Sequence, residues 1–139
     1  MLVEEFIQGR EFTIGVFKSD GEIKTLPFTE IITENEFFDF EAKYQGKSTE
    51  ITPADCSLET AQLVRNAAKA IYALFNCNGI VRMDFIFNEH DNKPYLLEIN
   101  TVPGQSAASI VPQQVAAMGL ELKSFYSMLI NNALTAKNK

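Results

Sequence analysis

The sequence has 139 residues, of which 46% are hydrophobic and 22% charged, with a formal net charge of −6. That is enough chain for one core, and the composition is globular rather than disordered. An acidic balance with no Lys/Arg block argues against nucleic acid and anionic membrane as partners. The two cysteines, Cys56 and Cys77, have no zinc spacing and make no disulfide framework. There is no leader pattern and no apolar run near the ~20 residues needed to span a bilayer, so a reducing, cytoplasmic setting is the expectation.

The run Leu2–Ile7 reads as a strand, with Gln8-Gly9-Arg10 as a turn. A strand starting directly after Met1 suggests a chain that belongs to something larger. Glu11–Phe17 reads as a second strand, and Ser19-Asp20-Gly21 as a hairpin turn returning through Glu22–Leu26. Phe37 to Cys56 lacks clean periodicity and reads as a long ordered loop with one short strand, Glu50–Thr52. Ser57 to Asn76 is the clearest helix. Ala61, Val64, Ala68, Ile71 and Phe75 form its apolar stripe, Ser57 its N-cap, and Gly79 lies just past its end. Ile80–Phe87 and Tyr95–Asn100 read as paired strands. A loop from Thr101 to Pro112 follows, then a short helix to Gly119 and a last helix with the stripe Leu122, Phe125, Tyr126, Leu129 and Ala133. The order predicts an α+β fold with a mostly antiparallel sheet packed with helices.

The late hairpin carries the most chemistry. Side chains alternate across a strand, so Arg82, Asp84 and Ile86 share one face, and Leu96, Glu98 and Asn100 share one face of the next strand. Val81, Met83, Phe85, Phe87, Tyr95, Leu97 and Ile99 are expected to face a core. A hairpin centred on Asp91 sets Asp84 opposite Glu98 and Arg82 opposite Asn100. Two carboxylates at that spacing repel by about 3 kcal/mol at an effective dielectric near 20. Arg82 can offset part of this, and a hard divalent cation such as Mg²⁺ suits carboxylate and amide oxygens. A solvated face with an Arg–carboxylate ion pair would carry the same residues. The next segment, Thr101-Val102-Pro103-Gly104-Gln105-Ser106, leads to a helix start whose free N–H groups can hold an anion. A cation site beside an anion site is what phosphoryl chemistry needs.

Leu96-Leu97-Glu98-Ile99-Asn100-Thr101-Val102-Pro103-Gly104 resembles the signature of D-alanine–D-alanine ligases of the ATP-grasp family. Gly79-Ile80-Val81-Arg82-Met83-Asp84 is similar to its partner strand, and Phe37-Phe38-Asp39-Phe40-Glu41-Ala42-Lys43-Tyr44 to the mobile loop of these enzymes. Val3-Glu4-Glu5-Phe6-Ile7 with Glu11-Phe12-Thr13 resembles the adenine hinge and ribose contact, and Ser109-Ile110-Val111-Pro112 also fits. Phe38 departs from the Tyr of many members, which puts in doubt only a hydroxyl contact there. The resemblance spans nearly the whole chain.

It implies that residues 1–139 are the C-terminal portion of an ATP-grasp domain, without the N-terminal substrate domain and first lobe, and inactive alone. Asp84, Glu98 and Asn100 would hold two Mg²⁺ ions, with Mn²⁺ able to substitute, on the phosphates of the co-substrate ATP. Arg82 and the Gly104 amide would stabilise the oxyanion of the tetrahedral intermediate. Lys43 would reach the terminal phosphate, and Tyr44 would help close the loop. Ser109 and the Ile110 amide would hold the carboxylate of the second D-alanine. Glu4, Phe6 and Ile7 would face adenine, and Glu11 the ribose. The implied reaction forms an acyl phosphate on one D-alanine, which the amine of the second attacks, for peptidoglycan precursor synthesis by a homodimeric parent. Glu41-Ala42-Lys43-Tyr44 resembles dipeptide-forming members rather than D-alanine–D-lactate ligases. Other carboxylate–amine ligases, or a non-catalytic nucleotide-binding module, are the alternatives.

Overall fold

The computed structural model describes Met1, residues 3–33 and residues 48–136. These form six strands and three helices: β1 (Arg10–Ser19), β2 (Glu22–Thr25), β3 (Thr29–Thr33), β4 (Ser48–Ile51), α1 (Leu58–Leu74), β5 (Val81–Asn88), β6 (Lys93–Asn100), α2 (Ile110–Ala117) and α3 (Leu122–Ala136). The strands make one antiparallel sheet in the order β4-β3-β1-β5-β6, with β2 also pairing β1. The expected α+β class is what the chain adopts.

α1 covers one face of the sheet. Ser57 caps it as its spacing suggests, accepting the Thr60 N–H on Oγ at 3.0 Å. Its buried stripe is Ala61, Val64, Ala68 and Tyr72, packed on Phe12, Ile14, Val16, Val81, Met83, Phe85 and Phe87. Each large side chain buried there contributes about 1.5–3 kcal/mol. The expected stripe is corrected at its end: Phe75 is 62% exposed and Tyr72 takes the core position. The helix ends at Leu74, one residue before the last of its apolar pattern, and Asn76 just beyond turns left-handed at φ 49°. Cys56 and Cys77 pack against this cluster.

On the opposite face, α2 and α3 cover only one end, through Phe17, Leu26, Val111, Val115 and Phe125. Phe17 and Phe125 meet edge to face at 5.1 Å. The rest of that face carries polar rows. Directly paired residues share a face, so the registers align Thr29, Thr13, Asp84 and Glu98 in one row. Beside it run Gly15, Arg82 and Asn100 on one flank, and Glu50, Ile31, Glu11, Ile86 and Tyr95 on the other.

Further expectations are corrected. Of the expected strand Leu2–Ile7, residues 3–7 form no strand and all but the half-buried Ile7 are exposed; among the described residues no backbone pairs with them in the sheet. Thr29–Thr33 is a strand that its short apolar content hid, and β4 begins two residues before the predicted Glu50–Thr52. In β6, Asp84 opposes Glu98 but Phe85 opposes Leu96, so Leu97 is a bulge residue. The extra residue reverses the alternation. Tyr95 then shares the polar face, and Leu97 is 51% exposed instead of facing the core.

Candidate functional site

The β5–β6 hairpin holds Arg82 opposite Asn100 and Asp84 opposite Glu98, the pairing expected from the alternation. Arg82 grips Asp84 at two points, Nε to Oδ1 at 3.0 Å and Nη2 to Oδ2 at 2.9 Å. The same Nη2 donates to Glu98 Oε1 at 3.1 Å. The hydrogen bond to Asp84 is the largest cause raising the Arg82 pKa above its ordinary value, and the negative charge of Asp84 and Glu98 adds to it. Asp84 also accepts from the Thr13 hydroxyl of β1. The Asn100 side-chain oxygen accepts the Val102 N–H at 3.0 Å, which turns the chain out of β6 into the next loop.

That loop brings a second group of residues to Arg82. A pocket of about 230 Å³ is lined by Glu50, Arg82, Pro103, Gly104, Ala108, Ser109, Ile110 and Val111. Four of the residues singled out from the sequence, Arg82, Gly104, Ser109 and Ile110, therefore meet in one place. Ser109 occupies the N-cap of α2, but its side chain makes no capping bond; its hydroxyl meets Ser106 Oγ at 2.8 Å. Gly104 lies close by: a Cβ on it would stand 2.8 Å from Ser109 Oγ, so only glycine leaves the hydroxyl uncrowded. A larger cavity, about 490 Å³, is lined by Phe75, Asn76, Cys77, Asn78, Val81, Ile99 and Thr101. It contains no charged side chain, whereas Glu50 and Arg82 line the smaller one.

The donor set of the hairpin fits a hard divalent cation. Asp84 and Glu98 provide carboxylates and Asn100 an amide oxygen, all on one sheet face. Among the described residues no three acidic, His or Cys side chains gather into a closed cage. Mg²⁺ is commonly held in this way, by one or two carboxylates with waters and substrate phosphates filling the remaining positions. Arg82 bridging both carboxylates shows that the pair already draws positive charge.

Other residues named from the sequence lie apart. Glu4 and Phe6 are exposed in the irregular segment before β1, and Ile7 is half-buried. Glu11 is on the polar face, directly paired with Ile86. Lys43, Tyr44 and the rest of the loop resemblance lie outside the described residues. Sequence reasoning missed Glu50 and Thr13 as neighbours of the site. Their only signal is polarity on an alternating strand, and Thr13 stands 71 positions from its partner Asp84.

The chain is similar to known proteins over nearly all its length. A family model described as D-ala D-ala ligase C-terminus matches residues 1–131. A D-alanine–D-alanine ligase of Flavobacterium johnsoniae is 46% identical over 134 residues, covering 96% of this chain and 41% of the relative. The crystal structure of the Bacillus anthracis D-alanine–D-alanine ligase superposes with a TM-score of 0.80 at 29% identity, covering 97% of this chain and 43% of that one. Its complex with ATP superposes at 0.78, with 29% identity and coverage of 97% and 41%. The VanG D-Ala:D-Ser ligase of Enterococcus faecalis reaches 0.79 at 29% identity, with coverage of 91% and 37%. The chain thus spans about two fifths of the length of the relatives it matches.

Proposed function

The chain belongs to the D-ala D-ala ligase C-terminus family, and from that membership we propose that it supplies the phosphate-side carboxylates and the acceptor pocket of an ATP-dependent D-alanine–D-alanine ligase. In this reading residues 1–139 are the C-terminal portion of an ATP-grasp domain, and turnover belongs to a protein of the family's full length. That protein would be a cytoplasmic homodimer making peptidoglycan precursors for the cell wall. The observation that carries the reading is Arg82: it lines the pocket of Gly104, Ser109 and Ile110 and also binds Asp84 and Glu98.

The first D-alanine carboxylate attacks the terminal phosphorus of ATP. A new P–O bond forms, the bond to ADP breaks, and an acyl phosphate results. The amine of the second D-alanine then attacks the acyl carbon, phosphate leaves, and the amine proton is lost. Arg82 and the Gly104 amide face the carbonyl oxygen as it gains charge. Ser109 and the Ile110 amide bind the acceptor carboxylate at the start of α2, where free N–H groups favour an anion. Asp84, Glu98 and Asn100 would hold Mg²⁺ or Mn²⁺, which would neutralise phosphate charge there. Glu4, Phe6 and Ile7 contact adenine and Glu11 the ribose. Lys43 reaches the terminal phosphate, and Tyr44 closes the loop that keeps water from the acyl phosphate.

The test is D-alanine-dependent phosphate release with ATP and Mg²⁺, and detection of the dipeptide, using a ligase of the family's length with this chain as its C-terminal part. No D-alanine-dependent release would sink the reading. The similarity to a D-Ala:D-Ser ligase makes a different acceptor the second reading. Competition between D-alanine, D-serine and D-lactate as acceptors separates the two.

A further inference from the structure

We propose that Gln114 is a positioning residue that locks the acceptor-binding end of α2 to the strand supporting Asp84. The inference rests on the ligase reading and deepens it. Gln114 is fully buried, and the other buried residues of α2 are the apolar Val111, Pro112 and Val115. A buried primary amide must satisfy both its oxygen and its nitrogen. Its Nε2 donates to the Thr13 carbonyl at 2.8 Å and to Thr29 Oγ1 at 3.1 Å, and its Oε1 accepts the Gly15 N–H at 2.9 Å.

These partners explain why an amide is needed. β1 pairs with β3 through Thr13 and with β2 from Val16 onward. Between the two, the Gly15 N–H points to the side of β2 and β3, and the Gln114 amide accepts it while donating to the Thr13 carbonyl on the same edge. It substitutes for one step of a sheet ladder with a side chain carried by a helix. Gly15 permits the approach, since a Cβ there would stand 3.0 Å from Gln114 Oε1.

The lock joins the two halves of the site. Gln114 stands one turn after Ile110, whose end of α2 lines the pocket with Ser109 and Arg82. Thr13, held by its carbonyl, donates through its hydroxyl to Asp84. One buried amide therefore fixes α2 relative to the carboxylate row. Without it, α2 still packs through Val111 and Val115 but loses its polar registration on β1. The affinity for the acceptor, read at the α2 end, is the quantity that should suffer.

The experiment compares Gln114→Met and Gln114→Glu with the parent in the full-length ligase. Methionine keeps the volume and removes all three hydrogen bonds. Its KM for the acceptor D-alanine should rise about ten-fold, the loss of roughly one buried hydrogen bond, while the KM for ATP changes less than about two-fold. Glutamate mimics the amide only when protonated, because only then can one oxygen donate to the Thr13 carbonyl while the other accepts from Gly15. Its acceptor KM, as a ratio to the parent at each pH, should fall as pH is lowered. A general loss in all constants that follows the melting temperature, or a flat pH ratio with Glu, would overturn the proposal. If the parent has no D-alanine-dependent turnover, the ligase reading fails instead. The lock is then read in the amide NMR spectrum of Gln114→Met: shifts confined to Gly15, without Ser109 and Ile110, would overturn it too.

Discussion

Arg82 Nη2 lies 2.9 Å from Asp84 on its own strand and 3.1 Å from Glu98 across the β5–β6 ladder, so one nitrogen serves both carboxylates. The two acids differ in setting: the Asp84 side chain is 14% exposed and that of Glu98 59%. Glu98 is thus the acid whose removal tests chemistry rather than folding. In the full-length ligase, Glu98→Gln should abolish Mg²⁺-dependent phosphate release. An exposed ion pair is worth about 0–1 kcal/mol, so the melting midpoint should barely move. Normal turnover at saturating Mg²⁺ would remove Glu98 from the metal site.

Two glycines offer opposite outcomes. A Cβ on Gly15 would stand 2.7 Å from the buried Leu26 Cδ1 as well as against Gln114. Gly15→Ala overpacks a core and should cost about 1–3 kcal/mol in chemical denaturation. A Cβ on Gly9 would stand 2.2 Å from the Phe87 carbonyl oxygen, so backbone must move. The irregular, exposed residues before it can yield, so Gly9→Ala should cost less than about 1 kcal/mol. It should instead raise the KM for ATP, because it displaces the segment assigned to adenine. A large stability loss with an unchanged ATP constant would contradict that assignment.

Tyr72 is buried under α1 and donates its hydroxyl to the Gly79 carbonyl at 2.7 Å. Burial pushes its pKa up to about 12 from 10.0. A raised folded pKa means that the neutral phenol is favoured in the native state, so its stabilisation is whole below pH 10 and lost as pH rises from there toward about 12. Tyr72→Phe should remove that part of the alkaline destabilisation and cost about 1 kcal/mol at neutral pH. Ultraviolet titration of tyrosinate, compared between parent and variant, checks the pKa directly; a Tyr72 that ionises near 10 would refute it.

Lys43 is assigned to the terminal phosphate by the loop resemblance. Contacts made mainly on closure act on the chemical step more than on ground-state binding. Lys43→Ala should therefore lower kcat by about ten-fold or more while ATP affinity, measured directly, falls much less. Equal losses in both would contradict the role.

Local physics made part of this molecule legible in its residues alone. Strand alternation placed Arg82, Asp84, Glu98 and Asn100 on one face and set their pairing. Helical spacing and the Ser57 cap placed α1. The period of each element and the bonds within one turn need no distant partner, so the residues themselves specify them. Long-range packing decided the rest. The bulge at Leu97 turned Tyr95 onto the polar face, Tyr72 displaced Phe75 from the core, and none of the described strands came to pair with residues 3–8. Thr13 reached Asp84, and Gln114 filled the gap in the β1 ladder, only because the sheet order brought β1 between β3 and β5 and laid α2 across it. Those contacts join residues 71 and 101 positions apart, and a buried polar group shows its need for a partner in the sequence but not which partner the fold will supply.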